Sequence, residues 1–247
     1  MADDALIAAR EDGVTRLTLN RAQKANALSA ALVEALLEAF ERAASDGTRL
    51  IVLEGAGPHF CAGFDFTDYE SASDGDLALR FVRIETLLQA IHHSPCETLA
   101  LAHGRVFGAG ADIVASCSRR IAAPDAAFLM PGLRFGVVLG TRRLAARVGG
   151  DAARDILSTS RSFDAQEALR IGFLTRIAPR EQWPDLVAAA RGESAKLSPA
   201  ASAALGVATL RDTRAEDMAA LARSVSVPGL KERIRAFREG QARRPAR

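Results

Sequence analysis

Residues 101–118 read LAHGRVFGAGADIVASCS, and the rest of the chain is organised around them. An apolar run, Thr98 to Ala102, predicts a buried strand. Gly104 breaks it, and Gly108-Ala109-Gly110 opens a short amphipathic helix, Ala111 to Ser116. A strand thus feeds a helix through a glycine-rich turn. Glycine lets the backbone come close to a ligand atom, and the first turn of a helix has unpaired N–H groups carrying about half a positive charge. An anion developing there is stabilised. Asp112 lies just inside the same turn, placed either to cap the helix or to reach into a site. Gly-x-Gly turns before helices are also plain close-packing devices, so this stretch needs a second feature to mark a site.

That feature is GAGPHFCAGFDF at residues 55–66, which follows a predicted strand, Leu50 to Glu54. Its beginning imitates a dinucleotide-binding fingerprint. However, Phe60 stands where the third glycine belongs, and Pro58 interrupts the turn instead of opening a helix. No G-x-x-x-x-G-K-[ST] loop occurs either. Nicotinamide, flavin and nucleotide-hydrolysis chemistry are therefore disfavoured.

With 247 residues the chain can bury a large core without staples, and its three cysteines, Cys61, Cys96 and Cys117, lie in apolar stretches. Their odd number and the lack of C-x-x-C or Cys/His spacing point to a reduced, cytoplasmic protein without a structural metal. Lysine plus arginine number 32 against 30 acidic residues, so the net charge of +2 provides no broad field for nucleic acid or a membrane surface. The tail is locally basic, with Arg233, Arg235, Arg238, Arg243, Arg244 and Arg247, either as a solvated face or as a site for a phosphate-bearing ligand. The first ten residues lack the apolar core of a signal peptide, and no apolar window long enough to span a bilayer occurs.

In order, Leu6 to Arg10 and Val14 to Leu19 read as a hairpin about Asp12-Gly13. Ser29 is a fitting N-cap for a helix from Ala30 to Ala44, with Leu32, Leu36, Phe40 and Ala43 on one face. Residues Ser71 to Asp76 are small and acidic and read as a loop, either closing over a site or simply solvated. A long helix, Leu77 to His93, follows and ends before Pro95, with His92 and His93 expected as imidazolium at its negative end. Arg119 to Ala122 and Ala127 to Met130 read as strands, Thr141 to Val148 and Asp151 to Ser160 as helices. Asp164 and Glu167 form a capping box, and Gly172 leads into a strand, Phe173 to Ile177. Past Pro179 the pattern is helical throughout, which divides the chain into a mixed core, 1–180, and a helical region, 181–247.

Four segments, NRAQKANAL at 20–28, FCAGFDF at 60–66, HGRVFGAGAD at 103–112 and FDAQEALRIGFLTRIAP at 163–179, resemble the crotonase superfamily, the enoyl-CoA hydratase/isomerase family. IRAFREGQARR near the C-terminus is similar to that family's last helix. The resemblance implies an α/β fold, a crotonase-like spiral of repeated β-β-α units, with a C-terminal α-helical region that assembles a homotrimer or a dimer of trimers. It implies an acyl-CoA thioester as substrate, coenzyme A being part of that substrate and no further cofactor being needed. Backbone N–H groups at Phe64 and Ala109 match the family's two donors to the thioester oxygen. Lys24, Ala25, Ala62, Gly63, Asp65 and Phe66, with Gly108 beside the second donor, match its coenzyme A and substrate contacts; Lys24 also fits a solvated loop. Asp112 matches the first of two hydratase glutamates and is one methylene shorter.

The second glutamate position is Gly132, in MPGLRFG, and the loop that follows, VVLGT at 137–141, is about three residues short of the family pattern. Adding water across a double bond needs a base and an acid near two adjacent carbons, each contributing roughly 10²–10⁴ in rate. One carboxylate suits single-proton chemistry at the α-carbon, as in isomerisation. The oxyanion donors alone suit hydrolysis or decarboxylation of a CoA thioester, and a subunit that binds acyl-CoA without turnover is a third reading. His59 and Arg134 are further candidates for the site. His103 is expected as a structural hydrogen-bonding group.

Overall fold

The computed structural model describes residues 4–242, so Arg243, Arg244 and Arg247 of the basic run lie outside the described residues. Strands β1 (Leu6–Glu11) and β2 (Val14–Leu19) pair antiparallel about Asp12-Gly13, both with positive φ (49° and 76°), the conformation a two-residue hairpin requires. Helix α1 (Ala30–Ala43) begins where the Ser29 hydroxyl accepts from the Leu32 amide at 3.2 Å, and its Leu32, Leu36, Phe40 and Ala43 are buried. Strand β3 (Leu50–Gly55) runs parallel to β2.

Helix α2 spans Asp74–His92. It begins inside the stretch whose composition predicts a loop, because Ser73 and Asp76 form a reciprocal capping box there. Strand β4 (Glu97–Ala102) continues the large sheet, and α3 (Ala109–Ser116) is the helix expected from the opening stretch. Between them lies an unanticipated short strand, β5 (Arg105–Phe107), so it is β5 and not β4 that feeds the glycine-rich turn. Strands β6 (Arg119–Ala122) and β7 (Ala127–Leu129), helices α4 (Thr141–Val148) and α5 (Gly150–Thr159), strand β8 (Phe163–Asp164), helix α6 (Ala165–Arg170) and strand β9 (Arg176–Ile177) complete the mixed part. The strand expected from Phe173 is shorter than its apolar run, since Phe173 is buried among phenyl rings instead of joining the ladder.

Two sheets result. The larger has the order β1-β2-β3-β4-β6-β9, parallel except at β1–β2; the smaller has the order β5-β7-β8. Each turn of the chain lays one strand in the large sheet and the next in the small one, as β4 then β5, and β6 then β7. The 61–64 segment after β3 follows the same rule without forming a full strand, bridging Leu28 through Phe64 and Val106 through Cys61. This stacking of repeated turns is a β-β-α spiral of the kind that the resemblance implies.

The large sheet is apolar on both faces, as buried parallel strands require. Ile51, Leu53, Ala100 and Ala102 point into the main core, while Leu50, Val52, Leu99 and Leu101 alternate outward under Trp183, Val187 and Ala190 of helix α7 (Trp183–Ser194). Beyond it lie α8 (Pro199–Thr209), α9 (Arg214–Val225) and α10 (Leu230–Ala242). Leu221, Val225, Leu230 and Ile234 belong to the main core, and α9 and α10 both pack on α2. Asp74, at the start of α2, accepts the backbone N–H groups of Gly229, Leu230 and Lys231, which caps α10 from across the molecule. In α8 no residue is buried. Among the described residues no helix is long and apolar enough to cross a membrane.

Candidate active site

The two glycine-rich stretches meet. The bridge between Leu28 and Phe64 uses the Gly63 carbonyl and the Asp65 amide, at 2.7 and 3.3 Å, so the Phe64 amide faces away from Leu28. Gly63 has φ +86°, and a Cβ built on it would lie 2.6 Å from the Phe107 carbonyl and 3.1 Å from the Ala109 amide nitrogen. No side chain fits, and the gap it leaves brings Phe64 and Ala109 to one place. Ala109 is the first residue of α3, whose preceding Gly108 amide is already spent on the Leu129 carbonyl at 2.7 Å. Among the described residues neither the Phe64 nor the Ala109 N–H donates to a protein acceptor.

Both border a cavity of about 980 Å³. Asp112 opens onto it too, one turn into α3; its carboxyl does not cap that helix. It is buried, and Oδ1 has no hydrogen-bond partner among the described residues. Burial pushes its carboxyl up to about 8, with the Arg143 guanidinium pulling the other way and Glu85 adding to the rise. Asp112 is therefore mostly protonated at neutral pH. Arg143 cannot reverse this, because it is committed to Glu85 at 3.0 and 2.5 Å and to Asp217 at 3.3 Å. Gly140, at the start of α4, is pressed against Asp112, and a Cβ there would lie 1.9 Å from Oδ1.

Of the other predicted contacts, Lys24, Ala62, Asp65, Phe66 and Gly108 line the cavity. Ala25 does not; it has φ +47° and its carbonyl accepts from the Ala62 amide, which positions the 61–65 segment. Asp65 is tied to Arg21 at 2.8 Å and to Thr67. Although burial raises its carboxyl, the Thr67 and Arg21 contacts outweigh burial and leave it below the usual carboxylate range. Asp68 and Glu70, the remaining carboxylates on the cavity, are exposed at its outer edge. Gly132 and its neighbours Met130, Pro131 and Leu133 line the wall without a carboxylate.

His59 accepts from the Arg105 amide through Nδ1 at 3.3 Å, and buried His103 bonds the Gly57 carbonyl through Nε2 at 3.0 Å. Both are spent on backbone away from the cavity. Arg134 points to the Thr159 carbonyl at 2.6 Å and, among the described residues, pairs with no carboxylate. His92 does end α2, but burial and the nearby Arg147 push it down to about 4, so it is neutral and not the expected imidazolium.

Sequence reasoning missed Phe81, Phe135 and Phe237, which line the cavity from α2, from the 3₁₀ turn Gly132–Phe135 and from α10. No local spacing marks them, since each is an ordinary apolar position of its own element.

Comparison with known proteins places the chain among relatives of one family. A family model described as Enoyl-CoA hydratase/isomerase matches residues 9–240. The chain is 35% identical over 173 residues, 67% of itself and 68% of the other, to a Mycobacterium leprae protein named Probable enoyl-CoA hydratase echA6. A Bordetella parapertussis crystal structure of the enoyl-CoA hydratase/isomerase type is 50% identical with TM-score 0.94, covering 98% of this chain and 99% of that one. An enoyl-CoA hydratase structure from Mycobacterium smegmatis is 30% identical with TM-score 0.77 over 98% of both chains.

Proposed function

This chain belongs to the enoyl-CoA hydratase/isomerase family, and from that premise we propose that it binds an acyl-CoA thioester and stabilises its enolate between the Phe64 and Ala109 amides, with Asp112 moving the single proton. The observation that carries this reading is the pair of unspent amides beside a buried, unpaired carboxyl. In the forward step the ionised fraction of Asp112, which grows as pH approaches 8, takes a proton from the thioester α-carbon, and the electron pair of that C–H bond passes to the carbonyl oxygen as the enolate. The two N–H groups meet that charge as it forms, and loss of one such donor typically costs about 3 kcal/mol of barrier. Protonated Asp112 returns its proton to carbon in the reverse step. The rim cations Lys24, Arg105 and Arg238 suit the phosphates of coenzyme A.

A second reading is favoured by the bare wall at Gly132. Decarboxylation or hydrolysis of a CoA thioester needs the two amides and, for the former, only an acid to protonate the enolate, which neutral Asp112 provides. The unburied helix α8, with Leu205 and Val207 exposed, supports assembly through the 181–247 region as a homotrimer or a dimer of trimers.

The test is deuterium incorporation at the α-carbon of butyryl-CoA in heavy water, followed by mass spectrometry. Exchange lost in Asp112→Asn supports the proton-transfer role. Affinity for butyryl-CoA with no exchange in the unaltered protein would instead indicate a binding subunit, and rapid hydration of crotonyl-CoA that survives Asp112→Asn would remove Asp112 from the mechanism.

A further inference from the structure

Six of the eleven phenylalanines and the single tyrosine line this one cavity, in a chain only 5% aromatic. They are not scattered. The wall begins at the donor residue itself: the Phe64 ring stacks on Phe81 (4.4 Å, 18°) and tilts against Phe66 (5.0 Å), and Phe135 stands 6.3 Å from both Phe66 and Phe81. Phe237 of α10 extends the row at 4.9 Å from Phe135. The Arg80 guanidinium lies 4.2 Å over the Phe64 ring, and because it cannot share a face with Phe81, both faces of that ring are taken. What Phe64 offers a ligand is its edge, the positive part of the ring quadrupole, made more positive by the cation.

Charge around the inner chamber tells against an acyl group that is ionised at its far end. Lys24, Arg105 and Arg238 are exposed at the rim. Of the inner cations, Arg80 is held over the Phe64 ring and donates to the Asp65 carbonyl at 2.6 Å, Arg134 is turned to the Thr159 carbonyl, and Arg143 is neutralised by Glu85 and Asp217. A distal carboxylate would be desolvated there without a partner, which is costly.

Resting on the thioester reading above, we propose that the chamber is built for an uncharged acyl group carrying an aryl ring within two or three carbons of the thioester. Apolar area alone does not distinguish aryl from alkyl. The difference comes from edge-to-face contacts with the phenyl wall, which begins at the oxygen-binding amide and is therefore reached by a ring close to the thioester. Two such contacts correspond to a preference of about tenfold.

The experiment is calorimetric titration of the full chain with 3-phenylpropanoyl-CoA, nonanoyl-CoA, glutaryl-CoA and free CoA, the first two having equal acyl carbon number. The aryl ester is expected to bind about tenfold tighter than nonanoyl-CoA, and glutaryl-CoA no tighter than free CoA. Phe135→Leu, checked for folding by thermal melting, should bring the aryl ester to the nonanoyl level while nonanoyl-CoA holds within about twofold; Phe237→Leu, on a half-buried ring, serves if the first variant does not fold. Nonanoyl-CoA binding as tightly as the aryl ester, or equal losses for both in the variants, would overturn the aryl assignment and leave the thioester reading standing. If no acyl ester binds more tightly than free CoA, the thioester reading itself fails.

Discussion

Replacing Gly140 by alanine strikes the proposed acid/base without touching it. The residue has φ 63° and ψ 2°, a left-handed conformation that costs an L side chain about 1–2 kcal/mol. Its new Cβ would lie 1.9 Å from Asp112 Oδ1 and 2.6 Å from Cγ, whereas real Cβ contacts do not fall under 3.0 Å. The carboxyl must therefore swing away from α4 by roughly 1 Å or more, and a displacement of that size at a reacting group costs about 100-fold in rate. The Phe64 and Ala109 amides are untouched, so affinity for the thioester should hold. Gly13→Ala is the control: φ is +76° and its nearest neighbours lie at an ordinary 3.6 Å, far from the site. Urea unfolding should show a loss of about 1–2 kcal/mol for Gly13→Ala and a larger one for Gly140→Ala, which also displaces a buried carboxyl, while α-deuteration of butyryl-CoA falls about 100-fold only in Gly140→Ala. Unchanged exchange in that variant would refute the placement of Asp112 against α4 as the source of its reactivity.

Asp112 also leaves a thermodynamic signature. Its carboxyl holds its proton up to about 8 in the folded chain and only to the ordinary 3.8 when unfolded, so the folded state binds more protons between those values and loses stability as pH rises through them. Asparagine does not titrate; the melting temperature of Asp112→Asn should gain on the unaltered protein from pH 5 to about pH 8 and level off above it, and curves parallel throughout that range would contradict the assignment. Removing Arg143 leaves Glu85 and Asp217 buried without their shared cation, so Arg143→Met should cost about 3–5 kcal/mol in urea unfolding, and adding Glu85→Leu should recover part of it.

Much of this molecule can be read from near neighbours along the chain. The turn at Asp12-Gly13, the caps at Ser29 and Asp164, the buried face of α1 and the two glycine-rich segments are all set by residues within one turn of each other, where backbone geometry leaves few choices. The position of Asp112 inside the first turn of α3 follows in the same way. Other features depend on partners far away in sequence. Composition alone marks 71–76 as a loop, yet Asp74 is helical and caps α10, and β5 exists only because Leu129 and Cys61 offer it a ladder. His92 is neutral because burial against α3 and the nearby charge of Arg147 disfavour its cation, a fact invisible in its own helix. The same division runs through the site. Residue types and spacing select the two amides and one acid, whereas the proton affinity of that acid, the neutralisation of Arg143 and the wall of phenyl rings arise where separate turns of the spiral are brought together, since burial and electrostatic coupling depend on distance in space and not on separation along the chain.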